Sequence, residues 1–377
     1  MMQTAAILWH VSLLVPADRK AIALGLVGLT RVVPIVVFSV AAGVIADALD
    51  RRKLMMLTQS AMAVLAAALA FLTFRGLSDL WPIYLLAAAS SAAGSFDGPA
   101  RQALIPNLVP REHLANAISL NTIMMQIASV SGPAVGGLVI AQLGVGWVYV
   151  LNAVSFLFVL AALAMMRATT RTEAGSVSLR AMMEGLRYVF TAPLIRSTML
   201  LDFFATFFSS ATALLPIFAQ DILGVGAHGY GWLYSAPALG AVLMSAAMVR
   251  LVDRIEKRGV VLLWAVFGYG LATVVFGVSR SFWLTFLCLA MTGVTDAVSM
   301  VLRNIVRQME TPDYLRGRMT GVNMVFFMGG PQLGELEAGV VASWFGAPLS
   351  VISGGLACLA ATAIVARRTP ALRAYRK

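Results

Sequence analysis

A chain of 377 residues that is 60% hydrophobic and only 12% charged cannot hide its apolar surface inside a water-soluble fold, where about half apolar and about a quarter charged is usual. Its formal charge of +11 would suit a nucleic-acid groove, but the cations are not gathered on one patch with aromatics interleaved, so that partner class is set aside. The exterior must face a lipid bilayer.

The chain begins with a short apolar run, residues 1–16, which would rise only about 24 Å as a helix. It has neither a basic leader nor a small-x-small cleavage site, so no cleavable signal is expected. Eleven longer runs follow, near 22–46, 54–74, 81–103, 114–143, 147–166, 196–219, 229–252, 258–279, 281–303, 316–342 and 347–366. Each can cross roughly 30 Å of hydrocarbon. With the short run they make twelve expected spans of an all-α membrane protein, the first one shortened. Of the 28 Lys and Arg, 23 fall in connections on one side, four on the other, and Arg31 lies inside a span. Cytoplasmic connections carry such an excess, so both termini are expected in the cytoplasm and the protein in the plasma (inner) membrane as a multi-pass chain. Trp81, Trp147, Trp264 and Trp283 near span ends suit the interfacial belt. Cys288 and Cys358 lie in apolar runs and imply no disulfide framework.

The longest polar stretch, 167–193, divides six spans from six. The expected organisation is an N-terminal bundle over 1–166, a cytoplasmic linker over 167–193 and a C-terminal bundle over 194–377. Leu179–Phe190 reads either as an amphipathic piece on the membrane surface or as plain linker. The halves repeat. Asp47-x-x-Asp50-Arg51-Arg52 recurs 206 positions later as Asp253-x-x-Glu256-Lys257-Arg258, and Arg101, Pro110 and Asn121 recur 202 positions later as Arg303, Pro312 and Asn323. Tandem six-span repeats fit this pattern.

Gly43-x-x-x-Asp47-x-x-x-Arg51-Arg52 resembles the signature between spans two and three of the major facilitator superfamily. Asp97-Gly-Pro-Ala-Arg101, Asp296 through Arg303, Thr311 through Arg318 and Gln332 through Glu337 make the chain similar to the branch of enterobactin and macrolide exporters. The resemblance implies a major facilitator fold and a secondary transporter working by alternating access. It implies proton-coupled efflux of an amphipathic small molecule, a drug or a siderophore, by a monomer, with spans one, four, seven and ten lining the cavity. It also implies a further stretch ahead of Met1. A lysophospholipid or nutrient carrier and a non-transporting membrane sensor are the alternatives; no convergent catalytic set marks an enzyme.

By the same resemblance, Gly43, Asp47, Asp50, Arg51, Arg52, Asp97, Arg101, Asp253, Lys257, Arg258, Asp296 and Arg303 belong to a cytoplasmic gate whose ion pairs exchange as it opens. Asp47 with Arg101 is the favoured pair and Asp97 the competitor, since Asp97 and Arg101 share a helix face at i,i+4. Topology alone explains basic residues but not Asp47, because acids contribute little to it.

Arg31, Asp202, Glu335 and Glu337 lie within spans, where each charge costs about 2.5–3.5 kcal/mol at a helix centre and must pair or meet water. Each is a proton-coupling candidate or a structural ion pair. The two glutamates, two positions apart, point about 200° apart, so one would reach the cavity or Arg31 and the other a neighbouring helix; which is which stays open. Gly132-Pro133-x-x-Gly136-Gly137 resembles the antiporter motif of exporters and reads equally as a small-residue packing face with a bend.

Gly224-x-Gly226-x-x-Gly229 follows no strand, and no phosphate-binding G-x-x-x-x-G-K-[ST] occurs, so neither dinucleotide nor ATP chemistry is expected. His10, His113 and His228 are too scattered for a metal or a triad. No cofactor is expected.

Overall fold

The computed structural model describes residues 1–48, 50–166, 187–209, 211–312 and 315–376; within helices, the side chains of 39–48 and most of those in 316–328 are outside the described set. The first half consists of α1 (Met2–Leu14), α2 (Ala17–Ala48), α3 (Arg51–Phe74), α4 (Trp81–Leu108), α5 (Leu114–Leu143) and α6 (Val145–Met165). The second half consists of α7 (Pro193–Phe208), α8 (Gly226–Leu251), α9 (Arg258–Val278), α10 (Phe282–Glu310), α11 (Arg316–Phe345) and α12 (Ala347–Arg368). A short α13 (Pro370–Ala374) ends the chain. Between α7 and α8 the backbone tightens to a 3₁₀ turn, Ala211–Leu214, and then widens to a π turn, Phe218–Ile222. Nine segments among the described residues are long and apolar enough to span a bilayer. The other three of the expected spans are α1, at 13 residues, and α4 and α11, at 28 and 30.

Two glycines expose the repeat in the backbone. Gly144 ends α5 at φ 90° and Gly346 ends α11 at φ 86°, and they stand 202 positions apart, the offset of Arg101 and Arg303. Each closes its helix on the last turn, accepting a conformation that a Cβ disfavours, and the next helix starts at once.

Within the first half α2 packs on α4, and α3 on α4 and α6; within the second α8 packs on α10, and α9 on α10 and α12. The halves meet along α2 against α11 and α5 against α8. Both seams are zipped by glycine, because backbones this close leave no room for side chains. A Cβ on Gly25 would come within 2.9 Å of Gly339 Cα, and one on Gly137 within 2.6 Å of Gly231 Cα. Apolar side chains on the outer surface, such as Leu57, Val64, Phe158, Trp283 and Leu287, are exposed, as a lipid-facing wall requires.

The start of α3 bonds the end of α6 through Arg52, Ser197 of α7 meets Thr369 after α12, and Tyr188 donates to Glu310 O at the end of α10; these basic helix ends are called here the basic face. Hydrogen bonds and ion pairs that join the two halves include Arg31–Glu335, Lys20 with Gln220 and Asp221, Gln220–Ser12 and Tyr230–Ala5. The linker residues 167–186, which include most of the amphipathic candidate Leu179–Phe190, lie outside the described residues; Arg187–Thr191 is helical.

Candidate functional site

One buried ionic group and a pocket lie where the halves face each other, and a second ionic group lies inside the second half beside that pocket. The first group crosses the seam. Arg31 projects from α2, and its Nη1 stands 3.7 Å from Glu335 Oε2 on α11. Thr212, in the 3₁₀ turn after α7, donates to Glu335 Oε1 at 3.4 Å. Gly28, one turn before Arg31, makes this approach possible: a Cβ there would meet Gln332 O at 2.5 Å and Glu335 Cβ at 2.8 Å. Glu335 is buried, while Glu337 is half-buried and makes no ion pair among the described residues. The geometry therefore separates the two glutamates as their helical spacing required.

The second group lies inside the second half. Arg303 of α10 is bound through Nη1 to Asp202 Oδ1 of α7, and its Nη2 stands 3.6 Å from Asp296 Oδ1, two turns back on α10. Arg303 and Asp202 are 4% and 6% exposed, so neither charge could persist without the other. Asp296 keeps a half-open side chain. The next basic residue on α10, Arg307, donates to Asn304 Oδ1. The sequence placed Asp202 among the proton-coupling candidates and Asp296 and Arg303 with the gate; in three dimensions they form one cluster.

In the first half, Asp97 of α4 is the hub. Its Oδ2 accepts from Arg101 Nη2 at 2.7 Å, and its Oδ1 accepts from Gln59 Nε2 at 2.8 Å and from Thr58 Oγ1 at 3.1 Å on α3. Arg101 thus takes the partner on its own helix. The Asp47 side chain lies outside the described set; Gly43 is helical, near the end of α2. Asp50 caps α3 by accepting from Arg52 N at 2.9 Å and Lys53 N at 3.3 Å. Arg52 reaches across to the end of α6 and donates to Leu163 O and Ala164 O, both at 2.7 Å, placing a cation on the carbonyls that a helix end leaves unpaired. In the counterpart motif Asp253 and Lys257 are exposed and Arg258 is buried at the start of α9.

The glycine-proline motif of α5 divides its contacts. Gly132 and Gly136 back onto Met1 and Met2 at the start of α1, whereas Gly137 meets Gly231 on α8. One motif thus serves packing within a half and between halves. At the opposite face Lys20 of α2 is held by Gln220 and Asp221 of the π turn. Lys20 and Asp221 stand 201 positions apart, and an ion pair over that separation leaves no local signal in the sequence.

Between α5, α7, α8, α9 and α10 opens a pocket of about 290 Å³. Gln126 and Ser129 of α5 form its wall on the first half; Thr212, Tyr269, Phe276 and Asp296 line the second. Thr212 ties the pocket to Glu335 and Asp296 ties it to Arg303, so both ionic groups border one space. Among the described residues no group of His, Cys, Asp and Glu is arranged to hold a metal.

Over residues 1–375 the chain matches the family described as transmembrane secretion effector, a major facilitator family. It is 30% identical to the enterobactin exporter EntS of Escherichia coli O1:K1 / APEC over 281 residues, which cover 74% of this chain and 67% of that protein. The same identity and coverage hold for the enterobactin exporter EntS of Shigella dysenteriae serotype 1. A bacterial homologue of the human lysosomal transporter Spinster shares the fold with a TM-score of 0.72 at 15% identity, covering 99% of this chain and 96% of that one. The nucleoside transporter NupG does so with a TM-score of 0.73 at 11% identity, covering 98% of each. A family match along almost the whole length, an exporter relative and a shared helical architecture together make this chain a multi-pass membrane transporter of the major facilitator superfamily, in its transmembrane secretion effector family.

Proposed function

We propose that the chain is a proton-coupled exporter of an amphipathic small molecule, a drug or a siderophore, working as a monomer by alternating access. Its N-terminal bundle, 1–166, and C-terminal bundle, 194–377, rock about the glycine seams, joined by the cytoplasmic linker 167–193. The basic face is the cytoplasmic one, with both termini on it, in the inner membrane; the asymmetry of Lys and Arg supports this orientation.

The observation that carries the proposal is the Arg31–Glu335 pair, which bridges the halves near mid-span, on the two helices that form one seam. A carboxylate there holds the halves together through Arg31. Protonated, it loses that attraction, so the strength of the seam depends on the protonation of this one carboxylate, with proton and cargo carried in opposite halves of the cycle. The Lys20–Asp221 and Tyr230–Ala5 contacts, which join the halves on the other side of this pair, support a reading in which the outer face is the closed one and cargo loads from the basic side. Export of a siderophore by the relative EntS supports the direction of transport. The gate of Asp47, Asp97 and Arg101 with its counterpart in the second half would close the cytoplasmic side in the other state.

The deciding measurement is efflux from vesicles under an imposed proton gradient, with a panel of dyes and siderophores. Glu335→Gln should flatten the pH dependence of transport while Glu337→Gln retains it. Unaltered pH dependence in Glu335→Gln would remove this carboxylate from coupling.

A further inference from the structure

The pocket between the halves has a chemistry more specific than amphipathic cargo requires. Asp296 is the one charged residue among those that line it. Its partner Arg303 makes its closer contact with Asp202 and reaches Asp296 only at 3.6 Å. Two carboxylates thus share one guanidinium, and Arg307 one turn on is directed at Asn304. The surplus negative charge sits on the carboxylate that stays open to the pocket, since the Asp296 side chain is 41% exposed and that of Asp202 only 9%. The rest of the lining is the rings of Tyr269 and Phe276, neutral amide and hydroxyl groups such as those of Gln126, Thr212 and Thr292, and small or aliphatic groups such as Ala238 and Leu289. A carboxylate beside aromatic rings, whose neighbouring guanidinium is engaged more closely by another carboxylate, is an environment that favours a weakly hydrated organic cation.

Resting on the transporter reading above, we propose that this pocket is a subsite for the cationic headgroup of the cargo, a substituted ammonium, seated between Asp296 and the rings of Tyr269 and Phe276. At about 290 Å³ the pocket holds a headgroup rather than a whole large ligand, because sites for drug-sized molecules run from about 300 to 1,000 Å³. The remainder of the cargo lies in the chamber, past Gln126 and Ser129. Both halves touch the ligand, so its binding is sensitive to their relative position.

The test uses the full chain in lipid nanodiscs and isothermal calorimetry with phenyltrimethylammonium and with dimethylaniline, its uncharged near-isostere at pH 8. The cation should bind about tenfold or more tightly than the neutral compound. Asp296→Asn should erase that preference without lowering the melting temperature, and Asp296→Glu should keep it. Equal binding of the two probes, or full cation affinity in Asp296→Asn, overturns the proposal. If Asp296→Asn fails to fold, Tyr269→Leu decides: severalfold loss of cation affinity sustains the subsite, and no loss ends it. A cation preference that survives alongside absent proton-driven efflux of any cargo would defeat the transport reading and leave the subsite standing. Efflux without cation binding would do the reverse.

Discussion

Lys20 Nζ donates to both carboxylate oxygens of Asp221, at 2.9 and 3.1 Å, and to Gln220 Oε1 at 3.1 Å, so a lysine on α2 is clamped by a π turn from the other half. Gln220 in turn donates to Ser12 Oγ on α1 at 2.8 Å. Lys20 is only 7% exposed, and a buried ammonium must keep its partners. The π turn places successive polar side chains on one point, a use typical of such turns. Beside the glycine seams, this clamp closes the face away from the basic connections.

Removing the clamp should open that face. In Lys20→Met, labelling of a cysteine placed at Ser12 by an impermeant maleimide should rise about tenfold, the effect of ~1.4 kcal/mol on an equilibrium. The charge exchange Lys20→Asp with Asp221→Lys should restore most of the protection. Protection unchanged in Lys20→Met would assign the closure to the glycine seams alone.

The seams can be wedged apart. Gly137→Leu sets its Cβ 2.6 Å from Gly231 Cα and 2.7 Å from Ala227 O, backbone atoms that cannot give way as a side-chain tip can. Transport should fall by about tenfold or more with normal membrane insertion, since overpacking costs about 1–3 kcal/mol. Gly132→Ala, where a Cβ meets Met1 at 3.3 Å, should be much milder. Equal effects at both positions would argue against a special role for the α5–α8 seam.

Asp202→Asn leaves the Arg303 guanidinium buried without its nearer carboxylate. Breaking one side of a buried pair costs about 3–5 kcal/mol, so the variant should melt well below the parent, and Arg303→Met combined with Asp202→Leu should recover much of the loss. A melting temperature equal to the parent's in Asp202→Asn would mean that Asp296 replaces Asp202 without penalty.

Arg52 has a measurable role apart from any gate. Arg52→Ala should remove the cation from the last carbonyls of α6 and lower stability by about 1 kcal/mol, read as a modest fall in melting temperature in detergent. Arg52→Lys, which keeps charge but not the two-pronged donor geometry, should lie between. A loss of transport with unchanged melting in both would favour gating over capping.

Most of the fold was legible because a bilayer punishes unpaired backbone and charge so heavily that length and composition mark each span. The spans with the least apolar signature are the polar ones, α4 with its Ser90-Ser91, Asp97 and Arg101, and α11 with Glu335 and Glu337: a helix that serves a cavity gives up part of the apolar signature that announces a span. The choice between Glu335 and Glu337 was half legible, since helical spacing sets them on different faces, yet which face meets Arg31 depends on how α11 is rotated against α2.

The sequence by itself determined the membrane setting, the duplicated halves and the residues whose charge demands an explanation, because these follow from hydropathy, from periodicity and from the cost of an ion in hydrocarbon. Only the tertiary structure decided the partners. Arg31 takes Glu335, Arg303 takes Asp202, and Lys20 takes Asp221. An ion pair is fixed by a distance of a few ångströms, and across one to three hundred residues that distance is set by how helices cross and which glycines let them approach, neither of which is written in the spacing along the chain.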